Sequence, residues 1–130
     1  MFIIYNMIKK CTIFCDIDGT LFEYRKFATY KTTIPNPIHS AIDQINRAYD
    51  NGHRIILTTA RPEYLRMHTM KELERANIQY HTLIMGIERG TRILINDNES
   101  PEINRAHAFN LTRNIGFSDD DVCRFDKLLK

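Results

Sequence analysis

Apolar positions in this chain fall into short continuous runs and longer runs of helical spacing that alternate along its length. Thr12-Ile13-Phe14-Cys15 is a short run rich in β-branched and aromatic residues, closed by Asp16-Ile17-Asp18-Gly19-Thr20, and predicts a buried strand ending in a loop. Asn36-Pro37 reads as an N-cap followed by proline at the first helical position. Ile38, Ala41, Ile42, Ile45, Ala48 and Tyr49 then recur at helical spacing until Gly52 ends the element. Arg54 to Thr59 is a second strand, and Pro62 to Ala76 a second helix with a weaker apolar face at Leu65, Leu73 and Ala76. Tyr80 to Met85 predicts a third strand, Gly86 to Gly90 a tight connection, Arg92 to Asn96 a fourth strand and Ala106 to Leu111 a fifth. Ser118 caps a last helix whose Val122, Phe125, Leu128 and Leu129 share a face.

Strands alternating with helices predict an α/β fold, a doubly wound, Rossmann-like and mainly parallel sheet with helices on both faces. With 130 residues the chain amounts to one domain, residues 1–130, able to bury about two-thirds of its unfolded surface. Its formal charge is +2, from 18 Lys and Arg against 16 Asp and Glu, which is no basic stripe for duplex binding. The three cysteines lack CxxC spacing, and Cys11 and Cys15 stand about 13 Å apart along a strand, so they cannot bridge. Reduced structural thiols in a cytoplasmic protein fit that count. The five histidines form no metal-ligand pattern. At the N-terminus the lysines follow the apolar stretch Phe2 to Ile8, the reverse of a secretory signal, and the run is too short to span a bilayer. Met7 is an alternative start, so residues 1–6 are expected to be a dispensable extension, and no membrane partner is expected.

In open parallel sheets ligands bind beyond the carboxyl ends of the strands, so the residues just past each strand carry the chemistry. Asp16 and Asp18, one residue apart, suit an oxygen nucleophile paired with a proton-shuttling acid or base, and Gly19 allows the tight exit. Thr58-Thr59-Ala60-Arg61-Pro62 places hydroxyls beside a helix start, a favourable position for a phosphate oxygen. Asn96-Asp97-Asn98-Glu99 offers hard oxygen ligands after the fourth strand.

Asp16-Ile17-Asp18-Gly19-Thr20 resembles the DxDGT signature of the haloacid dehalogenase superfamily, most of whose members are Mg²⁺-dependent phosphohydrolases. The resemblance extends over residues 11–116, with Thr59 matching the second motif and Asp97 the fourth, and is nearest to small members without a cap. It implies an aspartyl-phosphate mechanism with Asp16, Asp18, Thr59 and Arg89 as catalytic residues. Gly19, Thr20, Thr58 and Arg61 would contact substrate. Asp16, Asp97 and the backbone carbonyl of Asp18 would hold Mg²⁺, with Glu99 the substitute for Asp97. The chain departs from the family at the third motif, where a lysine is usual and Met85 to Arg92 contains none; Arg89 is the replacement. Lys71 and Arg61 have plainer readings as solvated helix residues, and Asp119, Asp120 and Asp121 as helix N-terminal acids rather than a metal site.

The segment Leu21 to Pro35 is too short for a large cap domain, and Phe22 to Phe27 within it reads as a flap or a surface loop. An open site admits large substrates or borrows a lid from a neighbouring subunit in a homo-oligomer. A sugar phosphate or other phosphorylated metabolite is the expected substrate, with a 3′-phosphorylated nucleic-acid end as a rival not favoured by charge. A module that binds phosphate or metal without turnover is the reading from outside the enzyme class.

Overall fold

Three parallel strands form the sheet in this computed structural model, which describes residues 9–130, in the order β1 (Thr12–Asp16), β2 (Arg54–Thr58), β3 (Thr82–Ile84). The N-terminal stretch read as neither signal nor site lies outside the described residues. Helices α1 (His39–Asp50) and α2 (Arg66–Arg75) make the two crossovers, and α3 (Asp119–Leu129) closes the chain. The arrangement is Rossmann-like, and no cap domain is inserted among the described residues.

Register explains where the core sits. Cys15, Leu57 and Leu83 are aligned across the sheet and all buried, whereas Phe14, Ile56 and Thr82 alternate to the other face, where Phe14 is exposed. Ala41, Ile42, Ile45 and Ala48 form the buried stripe of α1. Asp16 pairs with Thr58 and Thr58 with Ile84, so the three carboxyl ends finish level.

α1 begins at His39, later than the Asn36-Pro37 signal predicts. The intervening residues are used otherwise: Glu23 N–H donates to Asn36 O at 2.9 Å, Ile38 N–H donates to Leu21 O at 2.8 Å, and Phe22 bridges Pro37. That pairing holds 36–38 extended and ties the loop after β1 to the start of α1. Pro62 to Leu65 likewise opens as a 3₁₀ turn before α2. At α3 the reading holds: Ser118 Oγ accepts from Asp121 N–H, and the Asp121 carboxylate accepts from Ser118 N–H, both at 3.1 Å.

The fourth and fifth strands do not form. Residues 92–98 and 106–112 carry no strand pairing, and Ile93 and Ile95 are 82% and 90% exposed. Connection length gives the reason. Another strand parallel to β1 must start at the opposite end of the sheet, which takes a crossover of about a dozen residues or more, and only the short stretch 85–91 follows β3. The chain instead starts down from the carboxyl ends: Arg92 Nη2 lies 3.7 Å from Asp16 Oδ1, and Lys9 Nζ lies 3.4 Å from Glu99 Oε2. Residues 92–99 therefore leave the carboxyl end of β1 and reach Lys9, before its other end, without strand pairing.

Candidate active site

Asp16 ends β1 and Asp18 opens the loop. The carbonyl of Ile17 accepts from the N–H groups of Thr20, Leu21 and Phe22, which winds the loop tightly. Gly19 sits at φ +89°, where side chains are strained, and a Cβ there would meet Arg113 Cγ at 3.3 Å. The loop is also fastened from afar: Asn114 N–H donates to Gly19 O at 2.8 Å, and Tyr24 N–H donates to Asn114 Oδ1 at 2.7 Å.

The two carboxylates have unlike surroundings. Asp16 is open, its side chain 41% exposed, with Thr20 Oγ1 donating at 3.3 Å and the Arg92 guanidinium alongside. Burial pushes its carboxyl above the ordinary range, and Arg92 opposes that rise. Asp18 is gripped. Arg61 Nε donates to its Oδ2 at 2.8 Å and Nη2 to its Oδ1 at 2.7 Å, a bidentate pair, while Tyr30 OH donates to Oδ2 at 3.1 Å. Tyr30 is pushed up to about 12, by burial first and then by the Asp18 charge, so it stays a protonated donor at neutral pH.

Arg61 is 1% exposed, so it is not the solvated helix residue of the plainer reading, and its side chain is engaged by protein partners. Its guanidinium makes four hydrogen bonds to three side chains, adding Thr69 Oγ1 at 3.1 Å and Glu72 Oε1 at 2.8 Å. Burial alone would lower its pKa; the Asp18 and Glu72 carboxylates outweigh burial and raise it. Glu72 is itself buried, which by itself raises its pKa, but Arg25 and Arg61 together bring it below the ordinary range.

The remaining expected residues are placed as follows. Thr58 stands beside Asp16 in register. Thr59 is buried, and its hydroxyl accepts from Arg61 N–H at 3.1 Å, so it shapes the turn after β2. Arg89 lies with its guanidinium 5.8 Å from the Phe27 ring centroid, against the segment between β1 and α1. The arginine at Asp16 itself is Arg92. Asp97, expected beside Asp16, has a side chain 76% exposed and pairs with Arg105 at 3.3 Å. The path of 92–99 away from the carboxyl end of β1 explains that displacement. Glu99 pairs with Lys9 at the far end of β1. Asp119, Asp120 and Asp121 occupy the first turn of α3.

Hard oxygens suit Mg²⁺, which keeps several waters and often takes one or two carboxylates. Asp16 and the carbonyl of Asp18 fit that chemistry, but Asp97 is not brought to them. No cluster of three or more His, Cys, Asp or Glu able to hold a metal forms among the described residues.

Arg92, Arg25, Tyr30 and Glu72 were not found from sequence. Glu72 had a signal: with Leu65, Thr69, Leu73 and Ala76 it continues one stripe at helical spacing, and a carboxylate on a buried stripe requires a partner.

A family model for haloacid dehalogenase-like hydrolases matches residues 13–113. Comparison with curated proteins gives no match. A solved structure described as the Pnkp1/Rnl/Hen1 complex aligns with 67% of this chain at 22% identity and a TM-score of 0.54. The aligned part is 31% of that chain, so this protein corresponds to about a third of it. A structural-genomics target from Vibrio cholerae aligns over 92% of this chain and 99% of its own, at 14% identity and a TM-score of 0.51. At these identities the likeness concerns the fold alone.

Proposed function

The chain belongs to the haloacid dehalogenase-like hydrolases, and from that premise we propose that it hydrolyses phosphomonoesters through an aspartyl-phosphate on Asp16. The observation that carries this reading is the contrast between an open Asp16 and a gripped Asp18 on one loop at the carboxyl end of β1. A carboxylate oxygen of Asp16 attacks phosphorus in line, a P–O bond forms, and the ester P–O bond opposite breaks. Asp18 gives its proton to the leaving oxygen; it then takes a proton from the water that attacks phosphorus, and release of phosphate restores Asp16. When Asp18 carries that proton, the Tyr30 hydroxyl can turn from donor to acceptor. Arg92 and Arg89 would stabilise the equatorial oxygens. Mg²⁺, held at Asp16 and the Asp18 carbonyl, would add charge compensation there.

The substrate is a phosphorylated small molecule, a sugar phosphate or similar metabolite, entering a site over which no cap is built among the described residues. A 3′-phosphorylated nucleic-acid end is the second reading. It is favoured by a cationic and aromatic rim: the Arg113 guanidinium lies 4.6 Å from the Tyr24 ring centroid, Arg89 stands against Phe27, and Arg92 is at Asp16. No helix among the described residues is long and apolar enough to cross a membrane. A cytoplasmic setting accords with three unbridged cysteines. A second copy of the chain would be the natural source of a lid.

A phosphatase assay with and without Mg²⁺, run over an aryl phosphate, phosphorylated metabolites and 3′-phosphorylated oligonucleotides, tests the proposal. Metal-dependent release of phosphate is expected. Tight binding of beryllofluoride with no turnover of any of them would mark a binding module instead.

A further inference from the structure

Behind the gripped carboxylate lies a chain of buried charge that the reaction as written does not use. Glu72 Oε1 accepts from Arg61 Nη1 and from Arg25 Nη2, each at 2.8 Å, and its Oε2 lies 3.2 Å from His68 Nε2. Arg25 comes from the segment between β1 and α1, which it also binds through Nη1 to Thr33 O at 3.1 Å. The Tyr30 ring fills the space between the two arginines, its centroid 4.3 Å from Arg61 Cζ and 5.0 Å from Arg25 Cζ. Two carboxylates and two guanidinium groups thus form a near-neutral cluster with Asp18 at one end and the 22–35 segment at the other.

We propose that Glu72 is a positioning residue for Asp18, and that Arg25 makes the 22–35 segment part of the same device. Asp18 is the only member of the cluster on the reaction side. Arg61 can present Nε and Nη2 squarely to Asp18 only while its Nη1 is engaged behind. Thr69 supplies a neutral acceptor there and Glu72 the charged one. Without Glu72 the cluster holds two cations against one anion, and the guanidinium is free to pivot off the bidentate geometry. Stability alone does not account for such a cluster, since apolar side chains of similar volume commonly serve a fold equally well.

The inference rests on the phosphomonoesterase reading, and two readouts keep their failures apart. Glu72→Gln preserves volume and removes charge. Turnover of alkyl phosphates, whose leaving oxygen needs a proton, should fall at least about tenfold more than turnover of an aryl phosphate with a good leaving group, with KM little changed. Arg25→Gln should reproduce the pattern more weakly, and Glu72→Asp should restore part of it. Equal losses for both substrate classes, accompanied only by a lower melting temperature, would reduce the cluster to a structural role. Independently of turnover, guanidinium NMR should show a slowly exchanging Arg61 Nε–H signal in the wild type that is lost in Glu72→Gln. Its persistence in that variant overturns the proposal. Should Glu72→Gln not fold, Glu72→Asp and Arg25→Lys carry both measurements: both keep the charge and misplace it, so a selective loss on alkyl phosphates supports positioning and wild-type ratios refute it. If the wild type hydrolyses no phosphomonoester, the function proposed above fails, while the NMR comparison still decides whether Glu72 fixes Asp18.

Discussion

On one flank of the β1 loop, Asp18 is held by Arg61 from the turn after β2 and by Tyr30 from the segment between β1 and α1, with Thr69 and Glu72 of α2 holding Arg61 from behind, all four of these partners buried. On the other flank, Asp16 meets the 92–99 stretch, where Arg92 approaches without a hydrogen bond and Ile93 and Ile95 face outward. The first flank is assembled by crossover helices that fix where each residue must emerge. The second follows a short connection that no sheet pairing holds. Preorganisation here belongs to one carboxylate, and openness to the other.

The sharpest way to break this contrast is at its open end. Asp16→Asn should lower Mg²⁺-dependent hydrolysis of an aryl phosphate by roughly 10³-fold or more while leaving the melting curve in place, because it removes the nucleophile from an exposed position. Wild-type turnover by a purified variant free of deamidation would remove Asp16 from the mechanism. On the gripped side the effect should be on folding. Arg61→Ala leaves the buried Glu72 and the half-buried Asp18 without their shared partner and should cost about 3–5 kcal/mol in denaturant melts. A loss below about 1 kcal/mol would mean that the cluster relaxes into water.

Arg92→Ala, next in size, should reduce turnover by about 10²-fold with stability intact, as loss of a charge-stabilising donor does. A larger loss in Arg89→Ala than in Arg92→Ala would return the third-motif role to Arg89. Acid titration separates the flanks further. Glu72 titrates below its ordinary range in the folded state, so its stabilising contribution is complete above the unfolded value of about 4.3 and fades as pH falls through the lower folded value. Melting temperatures followed from about pH 7 down to about pH 3 should therefore fall less steeply for Glu72→Gln than for wild type. Parallel curves would contradict the assignment. The smallest effect belongs to Asp97→Asn, an exposed pair worth about 0–1 kcal/mol. A several-fold rise in the Mg²⁺ needed for half-maximal activity would show that residues 92–99 bring Asp97 to Asp16 when metal is bound.

Legibility in the sequence follows the same divide. Helices α1 and α3 and all three strands announce themselves by apolar spacing, because their burial follows that spacing. The start of α1 was misplaced because Asn36 and Ile38 spend their backbone groups on the loop after β1, a tertiary preference that an Asn-Pro signal does not encode. Arg92-Ile93-Leu94-Ile95-Asn96 has strand composition, yet the short link before it was already incompatible with a parallel crossover. The length of that link excludes a fourth strand parallel to β1. The burial of Arg61 is not legible from its place after a strand, because the partner that decides its direction, Glu72, comes from the next helix.

Chain order adds a consequence of the tie between Asn114 and Gly19. The loop bearing both carboxylates is synthesised some ninety residues before the N–H that fastens it and before Arg113, which packs on Gly19. During vectorial synthesis at about 5–20 residues per second, the β1–α1–β2–α2 portion can condense while its loop is still loose. Competence would then arrive only once residue 114 has emerged, and a nascent chain stalled before it should bind a phosphate analogue far more weakly than one extended past it.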